Sequence, residues 1–176
     1  MIPWVQVFFF LHIGAAIVAF GPTFIFPLIG GMGGKEPVHV NFATRVSAAI
    51  ERRVVIPVAL TMPLSGIALI WTLPVDVLAP TSRWLLIGIA VYVFAIAFVF
   101  LVQDPRIHKV IEMTSRPPGP PAGDPLAGAP PVGGPPPAGG PPPALMAAVK
   151  KVQQGGATLG ISLIIIFSMM IFKPGF

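Results

Sequence analysis

The sequence contains no cysteine, which excludes a disulfide framework, a thiolate nucleophile and a thiolate metal site. Charge is scarce as well: only 10% of its 176 residues are charged, against about 25% in a typical soluble domain. Acidic residues number six, and none falls in the central part of a long apolar run. That argues against a proton-coupled or cation transporter built on buried acids. Apolar residues fill the chain instead, at 55% of the total and a mean hydropathy of +0.86, which implies a membrane protein before any motif is read. A net charge of +5 would suit nucleic acid if it were clustered on a polar face. Here the basic residues lie between apolar runs, where the positive-inside rule accounts for them and no nucleic-acid partner is expected.

A bilayer core of roughly 30 Å needs about 20 apolar residues of helix, and four stretches meet that length. They run from about Pro3 to Ile29, Val54 to Val75, Trp84 to Gln103 and Val152 to Phe172. Each is too uniformly apolar to be an alternating barrel strand. The first lacks a basic leading segment and a small-residue cleavage site, so it is expected to be a retained helix and not a signal peptide. The expected fold is therefore all-α: a polytopic four-transmembrane-helix bundle. Residues 1–116 hold the first three spans and residues 144–176 the fourth.

Between them, residues 117–143 contain thirteen prolines and seven glycines, without the collagen period. This composition predicts a disordered loop, acting as a linker or else as a docking tether for an aromatic-lined groove. Nine of the eleven basic residues fall on one side of a four-span topology, with Arg83 and Lys173 on the other. Trp4, Trp71 and Trp84 mark the opposite helix ends. Both signals predict a bacterial inner-membrane protein with termini outside and the large loop cytoplasmic. In the first loop, "GGMGGKE" (residues 30–36) lacks the Ser or Thr and the βα unit of a phosphate loop and is expected to be a flexible turn.

His12 is the one ionisable side chain of the first span, about nine residues or roughly 13 Å from its end. Its helical face reads His12, Ala15, Ala16, Ala19 and Thr23, a small-residue stripe that admits a neighbouring helix or a flat cofactor. Two readings stay open. His12 is either a contact bonded across the bundle to Tyr92, Thr61 or Ser65, or an axial ligand of haem b iron. His39 and His108 lie at the cytoplasmic side, away from that depth, so a two-histidine haem within one copy is not expected. Glu51, Arg52 and Arg53 stand where the second span enters the membrane. They are interfacial anchors, with Glu51 pairing to Arg45 or Lys109, or else Arg52 and Arg53 contact a haem propionate or lipid headgroup. After the third span, Asp104 and Pro105 suit the cap and first position of a further helical turn. Pro22, Pro27, Pro57 and Pro63 can kink their helices. Gly156 and Gly160 form a Gly-xxx-Gly spacing for helix packing within the bundle or between subunits.

Together "FLHIGAAIVAFGPTFIFPL", "ERRVVIPVALTMPLSGIALI", "WLLIGIAVYVFAIAFVFLVQDPRIHKV" and "IIIFSMMIFKPGF" carry a resemblance. The sequence resembles the bacterial family of predicted integral membrane proteins catalogued as domain of unknown function 2269, over nearly all of the chain except the proline-rich loop. It is similar, more distantly, to the four-helix haem-associated protoporphyrinogen oxidase and copper-resistance membrane-domain families, through His12 and the "FIFP" segment ending at Pro27. In the former an arginine follows that proline and the first-helix histidine is implicated in haem binding. Leu28 stands there in this chain, so only His12 and Pro27 carry over. The function expected is a non-enzymatic membrane component, an accessory subunit or assembly scaffold with lipid around it and membrane proteins or further copies as partners. The alternatives are a b-haem redox protein with His12 as ligand and a small-solute channel or transporter.

Overall fold

The structure, a computed structural model, describes residues 4–73, 75–115 and 142–174. Among these all regular structure is helical, in the order α1 (Trp4–Phe20), α2 (Phe26–Lys35), α3 (Val40–Ile50), α4 (Ile56–Thr72), α5 (Arg83–Phe98), α6 (Asp104–Ser115) and α7 (Pro143–Phe172). Short connecting turns merge most of these into four long helices, 4–35, 40–72, 80–115 and 143–172, of 32, 33, 36 and 30 residues. Each exceeds the roughly 20 residues that cross a bilayer core. Phe10, Leu64, Trp71, Leu101 and Ile171 are each at least 70% exposed. Apolar surface of this extent on four helices is what lipid covers, so the chain is a multi-pass integral membrane protein.

The long helices outrun the apolar stretches at the end that carries most of the basic residues, here called the basic end. There the chain turns amphipathic, and the extra turns find protein to pack on. Ile107 and Val110 of α6 are buried. Asn41 of α3 donates to the Ile111 carbonyl at 3.3 Å and to Thr114 Oγ1 at 2.9 Å. α7 begins at Pro143, nine residues before Val152, with Pro142 extended ahead of it (φ −51°, ψ 137°). Proline is preorganised for a first helical position, so the linker expected to end at Pro143 gives its last residue to the helix. Residues 117–141 of that linker lie outside the described residues.

Two packing regimes follow. Toward the tryptophan end α1 runs along α4, and α5 along α7. At the basic end α2 packs on α3, α3 on α6, α6 on α7 and α7 on α2, closing a ring. The glycine-rich segment "GGMGGK" belongs to this ring as part of α2 and is not a turn. A Cβ at Gly33 would lie 3.0 Å from the Ala43 Cβ, so its missing side chain lets α2 approach α3. A helix also satisfies its own backbone groups, which a loop near hydrocarbon cannot do.

Proline decides where the long helices change pitch. Pro22 opens a 3₁₀ turn, Gly21–Phe24, between α1 and α2. Two π turns, Glu51–Val55 and Val99–Gln103, each precede a proline by the same spacing, Pro57 and Pro105. Their closing bonds run from the Ile56 N–H to the Glu51 carbonyl and from the Asp104 N–H to the Val99 carbonyl. A proline ring crowds the carbonyl four residues back and offers no N–H, and a widened turn just before it relieves that crowding. Asp104 consequently sits in an unbroken helix (φ −60°, ψ −45°) and does not cap a new one.

Candidate functional site: polar joints between the spans

Three polar side chains in the apolar layer bridge helices. His12 Nδ1 lies 2.9 Å from Ser65 Oγ on α4. Ser65 donates its single hydroxyl proton to the Met62 carbonyl at 3.0 Å. Oγ therefore receives the Nδ1–H of His12, a tautomer that leaves Nε2 with a lone pair. The ring also lies against α4, where a Cβ at Gly66 would be 3.6 Å from His12 Cε1. In the stripe beneath, Ala15 and Ala16 are half-buried and Ala19 is fully buried.

Tyr92 of α5 donates to the Ala59 carbonyl of α4 at 2.7 Å. The reason lies four residues on, at Pro63, the proline inside α4. An α-helical carbonyl normally accepts the N–H of residue i+4, and proline has none. Ala59 is buried, so its carbonyl needs another donor, and the only tyrosine in the sequence supplies it. This bond links the α1–α4 pair to the α5–α7 pair, as does the edge contact between Phe20 and Phe167 at 6.1 Å.

Gln103, in the second π turn, is 95% buried and donates through Nε2 to the Val152 carbonyl of α7 at 3.1 Å. Its Oε1 is the one buried side-chain atom without a partner among the described residues. Gly155 makes room for it. A Cβ there would collide with Oε1 and lie 2.9 Å from Cδ. Gly156 and Gly160, the expected packing pair, have nothing within 4 Å of where a Cβ would stand. Within the chain the close approach is at Gly155, against Gln103 of the second π turn.

At the basic end a salt bridge joins the first π turn to the start of α6. Arg52 Nη2 lies 2.9 and 3.0 Å from the two Asp104 carboxylate oxygens, and Nε 3.2 Å from Oδ1. His108 joins them, its Nδ1 2.9 Å from the Asp104 carbonyl and its Nε2 2.6 Å from Arg52 Nη2. Arg52 is thus the basic partner of Asp104, and no salt bridge joins Glu51 to Arg45 or Lys109 among the described residues. Glu51, beside Arg52, is buried, and Arg53 is exposed. With Arg52 about half exposed and Asp104 27% exposed, the pair is worth at most about 1 kcal/mol.

For haem the donor set can be judged residue by residue. His12 is the one histidine at its depth, with His39 and His108 at the basic end. Of the stripe that would receive a flat ring, Ala19 is fully buried. An open groove of about 510 Å³ does run along the α1–α4 pair, lined by Phe8, Leu11, Ala15, Thr61, Leu64 and Ser65 among others, but His12 is not among the residues that line it. The residues present therefore fit a haem site poorly.

Sequence reasoning named Ser65 among three partners for His12, and with it Tyr92, which bonds the Ala59 carbonyl instead. It passed over Gln103, Gly155 and the Arg52–Asp104 pair. A signal existed for two of these: a glutamine and an aspartate at the end of a purely apolar run must find partners or water.

A four-span membrane protein whose polar residues tie helices together is the class these observations define. The chain belongs to the family described as predicted integral membrane protein, domain of unknown function 2269, whose model matches residues 6–116. No curated protein and no solved structure matches the chain.

Proposed function

We propose that the chain is a non-enzymatic component of a membrane assembly, an accessory subunit or scaffold whose span polar groups serve as helix joints. The observation that carries this is the His12–Ser65 bond, which ties the one histidine in the apolar layer to the neighbouring helix, outside the residues that line the adjoining groove. Polar side chains in this role stabilise membrane bundles. His12→Ala is expected to insert normally and to lose about 0.5–2 kcal/mol of stability, read by reversible unfolding of the detergent-solubilised protein. Ala16→Leu should cost a similar amount by crowding α4. Wild-type stability in both variants would sink the reading.

A second reading, b-haem binding, is favoured by one observation only, the lone pair that the Ser65 bond leaves on His12 Nε2. When bound, haem would supply one-electron chemistry. His12 would hold it, with Ser65 fixing the ring and tautomer.

The assembly is placed in a bacterial inner membrane, termini outward and the proline-rich segment in the cytoplasm, on the strength of the basic asymmetry and the tryptophan end. Lys173 over the Trp84 ring at 5.5 Å is an interfacial pairing that suits the outer end. Thiol labelling of intact cells tests the orientation. Asp76→Cys should react with an impermeant reagent, and Val38→Cys should be protected until the membrane is broken. Val38 is 84% exposed, so a thiol there is open to reagent once the membrane is broken. Labelling of position 38 in unbroken cells contradicts the orientation.

A further inference from the structure

We infer that the corner where α6 meets the start of α7 binds the headgroup phosphate of an anionic phospholipid. Four basic residues lie on the two helices that pack there: Arg106 and Lys109 on α6, Lys150 and Lys151 on α7. A specific bond joins the helices at this level, Arg106 Nη1 donating to the Lys151 carbonyl at 3.2 Å. That bond holds the guanidinium against the α7 backbone at Lys151 and leaves its other N–H groups to donate elsewhere. Lys109, one turn further along α6, is exposed, as are Lys150 and Lys151.

The depth matches a phosphate. The apolar run through α5 and the second π turn ends at Val102, and that of α7 starts at Val152, the residue after Lys151. The corner therefore lies at the edge of the hydrocarbon, where headgroup phosphates sit and where clustered Lys and Arg recognise anionic lipid. Charge balance favours the same occupant. Of the two α6 carboxylates, Asp104 is committed to Arg52, so the corner keeps an excess of positive charge even with Glu112 counted against it. The site does not depend on the scaffold reading or on which leaflet the basic end faces.

The test titrates the full-length protein in a neutral detergent with phosphatidylglycerol and, separately, with phosphatidylcholine, counting bound lipid by native mass spectrometry. Phosphatidylglycerol should bind at least about tenfold more tightly. The Lys150→Gln/Lys151→Gln variant should lose on the order of tenfold in that affinity, and Lys109→Gln, on the other helix, severalfold. Lys35→Gln/Arg45→Gln, which removes two basic-end charges away from the corner, should bind like wild type. Equal affinity for the two lipids overturns the inference, as does an equal loss in the Lys35/Arg45 variant. Displacement of phosphatidylglycerol by an equimolar amount of inorganic phosphate overturns it too, because the site would then be a free-anion site.

Discussion

Gly155→Ala is expected to destabilise the bundle by about 1–3 kcal/mol, a large effect for one added methyl group on a membrane helix. The methyl would occupy the space that Gln103 Oε1 now fills and would press on Cδ at 2.9 Å. Gln103 is long enough to swing away, but only by giving up its bond to the Val152 carbonyl. The amide would then be moved within a layer where water is scarce. The prediction is sharpened by its partner. Gln103→Ala should cost about 1 kcal/mol alone and should remove most of the penalty of Gly155→Ala. The double variant is therefore expected to be markedly more stable than the sum of the two losses, a coupling that residues in direct contact show. Strict additivity in reversible unfolding would mean that α7 does not approach the second π turn as described.

The second large effect concerns Tyr92. Tyr92→Phe should cost about 1–2 kcal/mol, because it leaves the buried Ala59 carbonyl without a donor. The same change in a Pro63→Ala background should be nearly neutral. Alanine at position 63 restores the N–H that bonds Ala59 within α4, so the tyrosine hydroxyl is no longer needed there. The two residues thus form a compensating pair, a proline that frees a carbonyl and a tyrosine from another helix that claims it. An undiminished cost of Tyr92→Phe in the Pro63→Ala background would contradict this account of why α4 and α5 are joined.

Much of the architecture was legible in the sequence because the bilayer imposes it. Length, apolarity and missing charge are enough to place four spans, since a helix is the structure that lets each such run satisfy its own backbone. Helix ends were less legible. Residues 40–50 and 104–115 are interrupted by polar side chains and 143–151 is short and ends in two lysines; all three extend the helices where the helices pack in the ring at the basic end. "GGMGGK" reads as a turn by local propensity and is helical because Gly33 must pass close to Ala43.

The joints divide in the same way. His12 stood out as a polar residue in an apolar run, and Ser65 lay within the short set of partners that depth allowed. Tyr92 was visible as a polar residue, but its acceptor is a backbone carbonyl exposed by Pro63. That follows only once both residues are placed on α4 and α5. The two π turns shift the helical register ahead of Pro57 and Pro105. They also bring Arg52 to Asp104, 52 positions apart in the chain, a pairing that charge counting alone does not select from among eleven basic residues.

The central claim, that the intramembrane histidine is a helix joint, is tested most directly by the visible absorption spectrum of the full-length protein. It is purified in mild detergent from cells supplied with a haem precursor and recorded oxidised and then after reduction with dithionite. With His12 bonded to Ser65 and packed on Gly66, the account predicts no Soret band in either state. A Soret band that sharpens on reduction and is lost in His12→Ala would contradict it and make His12 a haem ligand.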